Sequence, residues 1–308
     1  MSQARWYSNS QSYTWAKCPK QYAYKYVVGL KPLARDMREE SWLRMGCGII
    51  GHGGMEYGML GMSIDAGVRA KAAELCAQNV PQEFKDALLA QVADISALAQ
   101  SAAAWLPISD WEPIQRNGAP MVEARLELPL PAPWAGLVGY ADMVARHKPS
   151  GRIMVVDYKF RGKFEAEDSD RYNRQFALYQ HALNLAGIEC HGSLLFEIKT
   201  PAPKRVPKTT HDDFGSIDAP RTQAEGRFRT TPTFRSAKYV AALYADTVKE
   251  ATAAAACTLA NAYRNLNAFN CKDCAYLRIC QAELTGEDTE DVIQSDFSSL
   301  ISLPRRGE

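Results

Sequence analysis

No run of apolar side chains in this sequence reaches the roughly 18 residues that a membrane-spanning helix needs. The opening stretch "MSQARWYSNSQSYTW" lacks the apolar segment of a secretory signal. Both absences lead to the expectation of a cytoplasmic chain with no membrane partner. Net charge is nearly absent too: 36 Lys and Arg stand against 35 Asp and Glu, for a formal +1. The molecule is therefore no polycation, and any contact with a polyanion must come from local patches. There is no internal repeat, no long low-complexity tract and no G-x-x-x-x-G-K-[ST] phosphate loop, which excludes an evident ATP-driven motor. Thiols stay reduced in the cytoplasm, so the eight cysteines read as free thiols or metal ligands rather than disulfides.

What charge there is lies unevenly. From Lys199 to Lys238 nine Lys and Arg face four Asp and Glu, and from Gln281 to Asp296 there are six acids and no base. The pattern of apolar residues divides the chain. "REESWLRMGCGIIGHGGMEYGML" reads as a glycine-rich helix, and "QEFKDALLAQVADISALAQSAAAW" as one amphipathic helix. "MVEARLELPL", "GLVGYADMVARH" and "RIMVVDYKF" are apolar or alternating runs between Pro/Gly breaks, and predict three strands. "DRYNRQFALYQHALNLAG" is a helix with a glycine stop, and "HGSLLFEIKT" a further strand. Strand, helix, strand in that order predicts a right-handed crossover in a mixed sheet. "PAPKRVPKTTHDDFGSIDAP" reads as a loop, 236–267 as a long Ala-rich helix, and the acidic end as a mobile tail.

The chemistry concentrates in "GYAD" and "VVDYKF". Asp142 and Asp157 fall on neighbouring predicted strands. Asp157 and Lys159 are two residues apart, hence on one face of a strand. Alone, an Asp-x-Lys pair is most simply a surface salt bridge. Two carboxylates converging on one point, however, repel unless a cation lies between them, and a hard divalent ion with oxygen ligands resolves that. Such an ion supplies water activation and neutralises charge on a phosphate, while a nearby ammonium offsets developing negative charge. Gln175 and Tyr179 share a helix face. His52 sits among glycines on the upstream helix.

The ordered set of His52 helix, "GYAD", "VVDYK" and "QFALY" resembles the PD-(D/E)XK nuclease superfamily, in its RecB-like branch. That branch includes the iron–sulfur nucleases of CRISPR adaptation, AddB-type recombination nucleases and phage relatives. The resemblance implies an α/β fold: a mixed-sheet, restriction-endonuclease-like core over 36–235, flanked by helices. It implies that His52, Asp142, Asp157 and the backbone carbonyl of Tyr158 hold Mn²⁺ or Mg²⁺, with Lys159 catalytic and Gln175 and Tyr179 supporting the site and DNA. Glu123, on the preceding strand, is an assisting candidate. Asp157 stands where the branch often has Glu. "FEIKT" offers a second candidate pair, Glu197 and Lys199. Asp157 is preferred because it directly follows "GYAD" and precedes the Gln175 helix.

Cys271, Cys274 and Cys280 crowd into "NCKDCAYLRIC". Thiolate sites usually need four ligands, and Cys18, Cys47, Cys76, Cys190 and Cys257 are the remaining candidates. The same resemblance singles out Cys18, in "YTWAKCPKQYAYKY". It implies a 4Fe–4S cluster on Cys18, Cys271, Cys274 and Cys280, stapling 1–35 to 236–285, ahead of the acidic tail at 286–308. Closing a loop of roughly 250 residues removes substantial entropy from the unfolded chain. Zinc is the rival occupant. The other four cysteines read as small buried hydrophobes.

The expected activity is therefore metal-dependent phosphodiester hydrolysis of DNA. The enzyme is expected to be an exonuclease preferring single strands or exposed ends in end processing, recombination or CRISPR-type adaptation, alone or with a helicase partner. "GRFRTTPTFRSAKY" interleaves Arg227, Arg229, Arg235 and Lys238 with Phe228, Phe234 and Tyr239. That pattern suits a single strand, with cations on the backbone and rings on the bases. The alternatives are a non-catalytic nucleic-acid-binding iron–sulfur module and an iron–sulfur redox protein.

Overall fold

The computed structural model describes residues 5–33, 39–78, 80–165, 173–200, 217–218, 221–222 and 226–299. The predicted loop over 201–220 lies almost wholly outside these residues, as does the end of the chain from 300. Two compact units emerge. One comprises Arg38–Leu126 and Gly139–Tyr244; the other comprises Met1–Met37, Glu127–Val138 and Ala245–Glu308.

The first unit begins with four helices, α1 (Glu39–Met59), α2 (Ile64–Cys76), α3 (Gln82–Leu89) and α4 (Val92–Trp105). Strands β1 (Val122–Leu128), β2 (Trp134–His147) and β3 (Ile153–Arg161) follow, then α5 (Arg174–Leu185), β4 (Gly192–Lys199), β5 (Arg221–Thr222) and β6 (Phe228–Thr233). The division between the units passes through β1 and β2.

Within this unit the sheet order is β2-β3-β4-β6-β5, with β1 also pairing with β2. β2 and β3 are antiparallel, β3 and β4 parallel, and β4 and β6 antiparallel. The parallel pair β3–β4 is joined through α5, because parallel neighbours need a crossover. β3 and β4 read "IMVVDYKFR" and "GSLLFEIK" and are buried almost throughout, as central strands covered on both faces must be. Trp105 of α4 stacks on Phe196 of β4 with ring centroids 5.6 Å apart, and Phe228 of β6 completes the cluster.

The amphipathic stretch 82–105 forms two helices rather than the single one predicted, bent by 42° between Leu89 and Val92. The bend lets Leu88 and Val92, on opposite sides of it, bury into the same core. Among the described residues no single helix is long and apolar enough to cross a membrane.

In the other unit a capping box on Ser8 starts the helix Asn9–Lys17, and Pro19 opens Pro19–Tyr22. The strand Leu30–Pro32 pairs with Phe297–Ser299. Rings of Tyr24, Tyr276 and Phe297 stack in sequence, 5.8 and 5.5 Å between centroids, and the Tyr276 hydroxyl donates to the Leu30 carbonyl at 2.9 Å.

The Ala-rich helix, α6 (Ala237–Ala255), stops well before the predicted Asn267. Thr258 and Asn261 bond reciprocally to each other's backbone N–H, and the Asn261 amide donates to the Ala256 carbonyl at 2.9 Å. These side chains offer the backbone an alternative to further helix. Where a mobile acidic tail is expected from 286, Asp288 caps a helix over Thr289–Asp296, and Arg278 holds Asp296 at 2.6 Å.

Candidate active site

Four elements of the first unit converge on one cleft. α1 lies across β3 because Gly51 faces Phe160. A Cβ on Gly51 would come within 2.6 Å of that ring, so no side chain fits there. This close approach carries His52, the next residue, to the strand bearing Asp157 and Lys159. The His52 ring meets Tyr158 edge-on at 6.4 Å and lies 5.9 Å from Phe160.

Asp142, on β2, is held from two directions. Its Oδ2 lies 3.2 Å from His52 Nδ1 and accepts the Tyr158 backbone N–H at 2.8 Å. Glu123, on β1, completes a group in which one ligand atom from each of His52, Glu123 and Asp142 lies within 4.8 Å of the others. Among the described residues no other set of three His, Cys, Asp or Glu is so gathered. A nitrogen and two carboxylates suit a divalent cation of the Mg²⁺ or Mn²⁺ kind. Glu123 has φ of 48°, in the left-handed region, which costs an L residue about 1–2 kcal/mol. That strain is local to the residue that faces Asp142.

Asp157 is buried and its Oδ2 lies 2.6 Å from Lys159 Nζ. The expected ligand set joined His52 and Asp142 to Asp157 and the Tyr158 carbonyl. The structure gathers Glu123 with His52 and Asp142, while Asp157 sits against the lysine.

Electrostatics reflect this crowding. Burial, then the charge of Asp142, pushes Asp157 up to about 6. Burial and the charges of Asp142 and Glu56 push Glu123 to about 6 as well. For Asp142 burial works upward, but the hydrogen bond and charge of His52 win and hold it below the usual range. Burial would lower His52 and Lys159, yet their carboxylate neighbours raise both. A cation in this group competes with protons. Divalent-metal affinity is therefore expected to fall as pH drops through about 6, where Glu123 and Asp157 gain protons. Protonation of His52 acts in the same direction. Calorimetric titration with Mn²⁺ on either side of that pH checks the sign.

Gln175 and Tyr179 sit behind β2. Asn173 caps α5, its Oδ1 accepting the Gln175 N–H at 3.0 Å. The Gln175 amide donates to the Tyr179 hydroxyl, which donates to the Tyr140 carbonyl, both at 2.8 Å. The Tyr179 ring fills the space over Gly139, where a Cβ would lie 2.3 Å away. "GYAD" thus needs its glycine so that Tyr179 can brace the strand three residues before Asp142.

Glu197, the alternative acid, is fully buried in another network. Arg229 opposite it on β6 donates at 2.7 Å from Nε and again from its Nη2, and the Glu165 N–H donates at 2.9 Å. Arg161 lies 3.5 Å from its other oxygen. The same strand corrects the expectation for "GRFRTTPTFRSAKY". Phe228 and Arg229 are buried, and Arg235 is buried with its Nη1 on Ser193 Oγ at 2.9 Å. Phe228, Arg229 and Arg235 are thus part of the packing and not open to a strand, whereas Phe234, Lys238 and Tyr239 are exposed.

In the second unit Cys18, Cys271, Cys274 and Cys280 line one small pocket. The loop before Cys271 is tied down: the amides of Asn265 and Asn270 both donate to the Lys17 carbonyl, at 3.0 and 3.1 Å. The four sulfurs are free thiols and are not drawn into a tight group; no three lie within 4.8 Å of one another. Burial raises the Cys274 thiol, with Cys18 and Cys271 adding to the shift. Cys47, Cys190 and Cys257 are buried and Cys76 half-buried.

A family model of the PD-(D/E)XK nuclease superfamily matches residues 7–281. The chain belongs to that superfamily, whose members hydrolyse phosphodiester bonds with divalent metals such as Mg²⁺ or Mn²⁺. No curated protein matches the chain closely enough to stand as a relative.

Proposed function

We propose that this protein is a metal-dependent deoxyribonuclease that trims DNA from single-stranded or exposed ends. The observation that carries this reading is the meeting of His52, Glu123 and Asp142 beside the Asp157–Lys159 ion pair. In this reading His52, Asp142 and Glu123 would hold the ion, and Asp157 and the Tyr158 carbonyl are further candidate ligands. When bound, the ion activates water and neutralises charge on the scissile phosphate. Lys159 keeps its proton, since Asp157 and Asp142 raise it against the pull of burial. Its ammonium then offsets the negative charge that builds on the phosphate oxygens. Asp157 aims that amine. Gln175 and Tyr179 fix the height of β2, and so of Asp142, through the Tyr140 carbonyl.

The four cysteines of the second unit are assigned, as a proposal, to a 4Fe–4S cluster. What supports the assignment is that all four cysteines line one pocket, in the Cys-x2-Cys-x5-Cys spacing of Cys271, Cys274 and Cys280. Protein purified without oxygen is expected to be brown, with one cluster lost on Cys271→Ala. A colourless protein with stoichiometric zinc goes against the assignment.

The activity itself is tested by a time course on 5′- and 3′-labelled single and double strands with Mn²⁺ or EDTA. Metal-dependent shortening from an end supports the reading. Binding without cleavage under every metal condition supports a non-catalytic module instead.

A further inference from the structure

The cleft that holds His52, Glu123 and Asp142 has a volume of about 750 Å³, within the range of small-ligand sites. Besides the metal donors and the charged Glu56, Lys71 and Glu74, it is lined by Met45, Ile49 and Tyr140, three large side chains that are 47%, 37% and 52% exposed. Met45 and Ile49 are four apart on α1, hence neighbours on the face that also leads to His52. Tyr140 is two residues before Asp142 on β2, hence on the same face of the strand. The backbone that carries the ring is braced from behind, because the Tyr140 carbonyl accepts the Tyr179 hydroxyl at 2.8 Å. The Tyr140 hydroxyl meets Arg125 Nη1 at 3.4 Å, which puts a cation on the rim.

We infer that Tyr140, with Met45 and Ile49, forms a stacking subsite for one unpaired nucleobase next to the scissile phosphate. This rests on the nuclease reading and assigns strand preference to particular side chains. A phosphate at the donor group places the attached base within the same cleft, where the exposed Tyr140, Met45 and Ile49 offer it a ring and two aliphatic walls. Inside a duplex both faces of a base are covered by its neighbours, so away from the ends only a single strand presents a face to a protein ring. The site therefore discriminates by stacking and tolerates any base.

The test is affinity for a fluorescent single strand, its duplex and the same strand with abasic sugars, in EDTA, for wild type, Tyr140→Ala and Tyr140→Phe. Tyr140→Ala is expected to weaken single-strand binding about five- to a hundredfold and to leave duplex and abasic binding unchanged. Tyr140→Phe should stay within about twofold of wild type, because the ring and not the hydroxyl does the stacking. Met45→Ser/Ile49→Ser should weaken single-strand binding in the same selective way. Equal losses on all three substrates, or none, overturn the stacking subsite while leaving the nuclease reading intact if wild type still cuts DNA. A wild type that cuts no DNA under any metal condition overturns the nuclease reading and this subsite with it.

Discussion

Asp157→Asn is expected to lower Mn²⁺-dependent DNA cleavage by ~10³-fold without weakening the fold. The two halves of this result come from the same geometry. Asp157 is almost completely buried and stands close enough to Asp142 that its carboxyl is pushed up to about 6. A carboxylate whose folded value exceeds its unfolded one costs stability. The cost is fully present above about pH 6, and it vanishes below the unfolded value near 3.8. In metal-free protein at neutral pH this is on the order of a few kcal/mol. Asparagine keeps the shape and removes the charge. The variant should therefore unfold in EDTA at the same or a higher denaturant concentration than wild type, while Lys159 loses the partner that aims it. Urea titration and a cleavage time course on the same preparation check both. Retained cleavage by Asp157→Asn would remove it from the active site.

Glu197→Ala should behave in the opposite way. Its carboxylate is fully buried and takes charge-assisted bonds from Arg229, with Arg161 close by. Removing it strands a buried guanidinium, and breaking such a pair costs about 3–5 kcal/mol. The unfolding midpoint should fall markedly, while the fraction still folded at low temperature cleaves DNA at close to the wild-type rate. Loss of cleavage in fully folded Glu197→Ala would instead make "FEIKT" the catalytic pair. The contrast between these two acids is the difference between a charge held against repulsion for use and one neutralised to hold strands together.

How much of this the sequence discloses depends on the range of the interactions involved. Asp157–Lys159 and Gln175/Tyr179 are legible because strand and helix periods alone set which side chains share a face. The mixed sheet is legible from the order of apolar runs around α5. Glu123 is the instructive case. Its strand is readable, but its left-handed backbone, which accompanies its placement among the donors, is a long-range outcome with no local signature. Arg229 shows the reverse error. In a row of alternating cations and rings it reads as a nucleic-acid contact, until the partner strand supplies Glu197 opposite it. The break after Leu89 has no glycine or proline to announce it, and arises because both halves bury into one core.

The central claim is that His52, Glu123 and Asp142 share one divalent ion beside Lys159. The most direct measurement is a crystal structure of the protein with Mn²⁺, located by its anomalous scattering. The predicted result is one manganese peak in contact with His52, Asp142 and Glu123 and within reach of Asp157, absent in Asp142→Asn. Manganese bound elsewhere, with these side chains still paired only to one another, would contradict it.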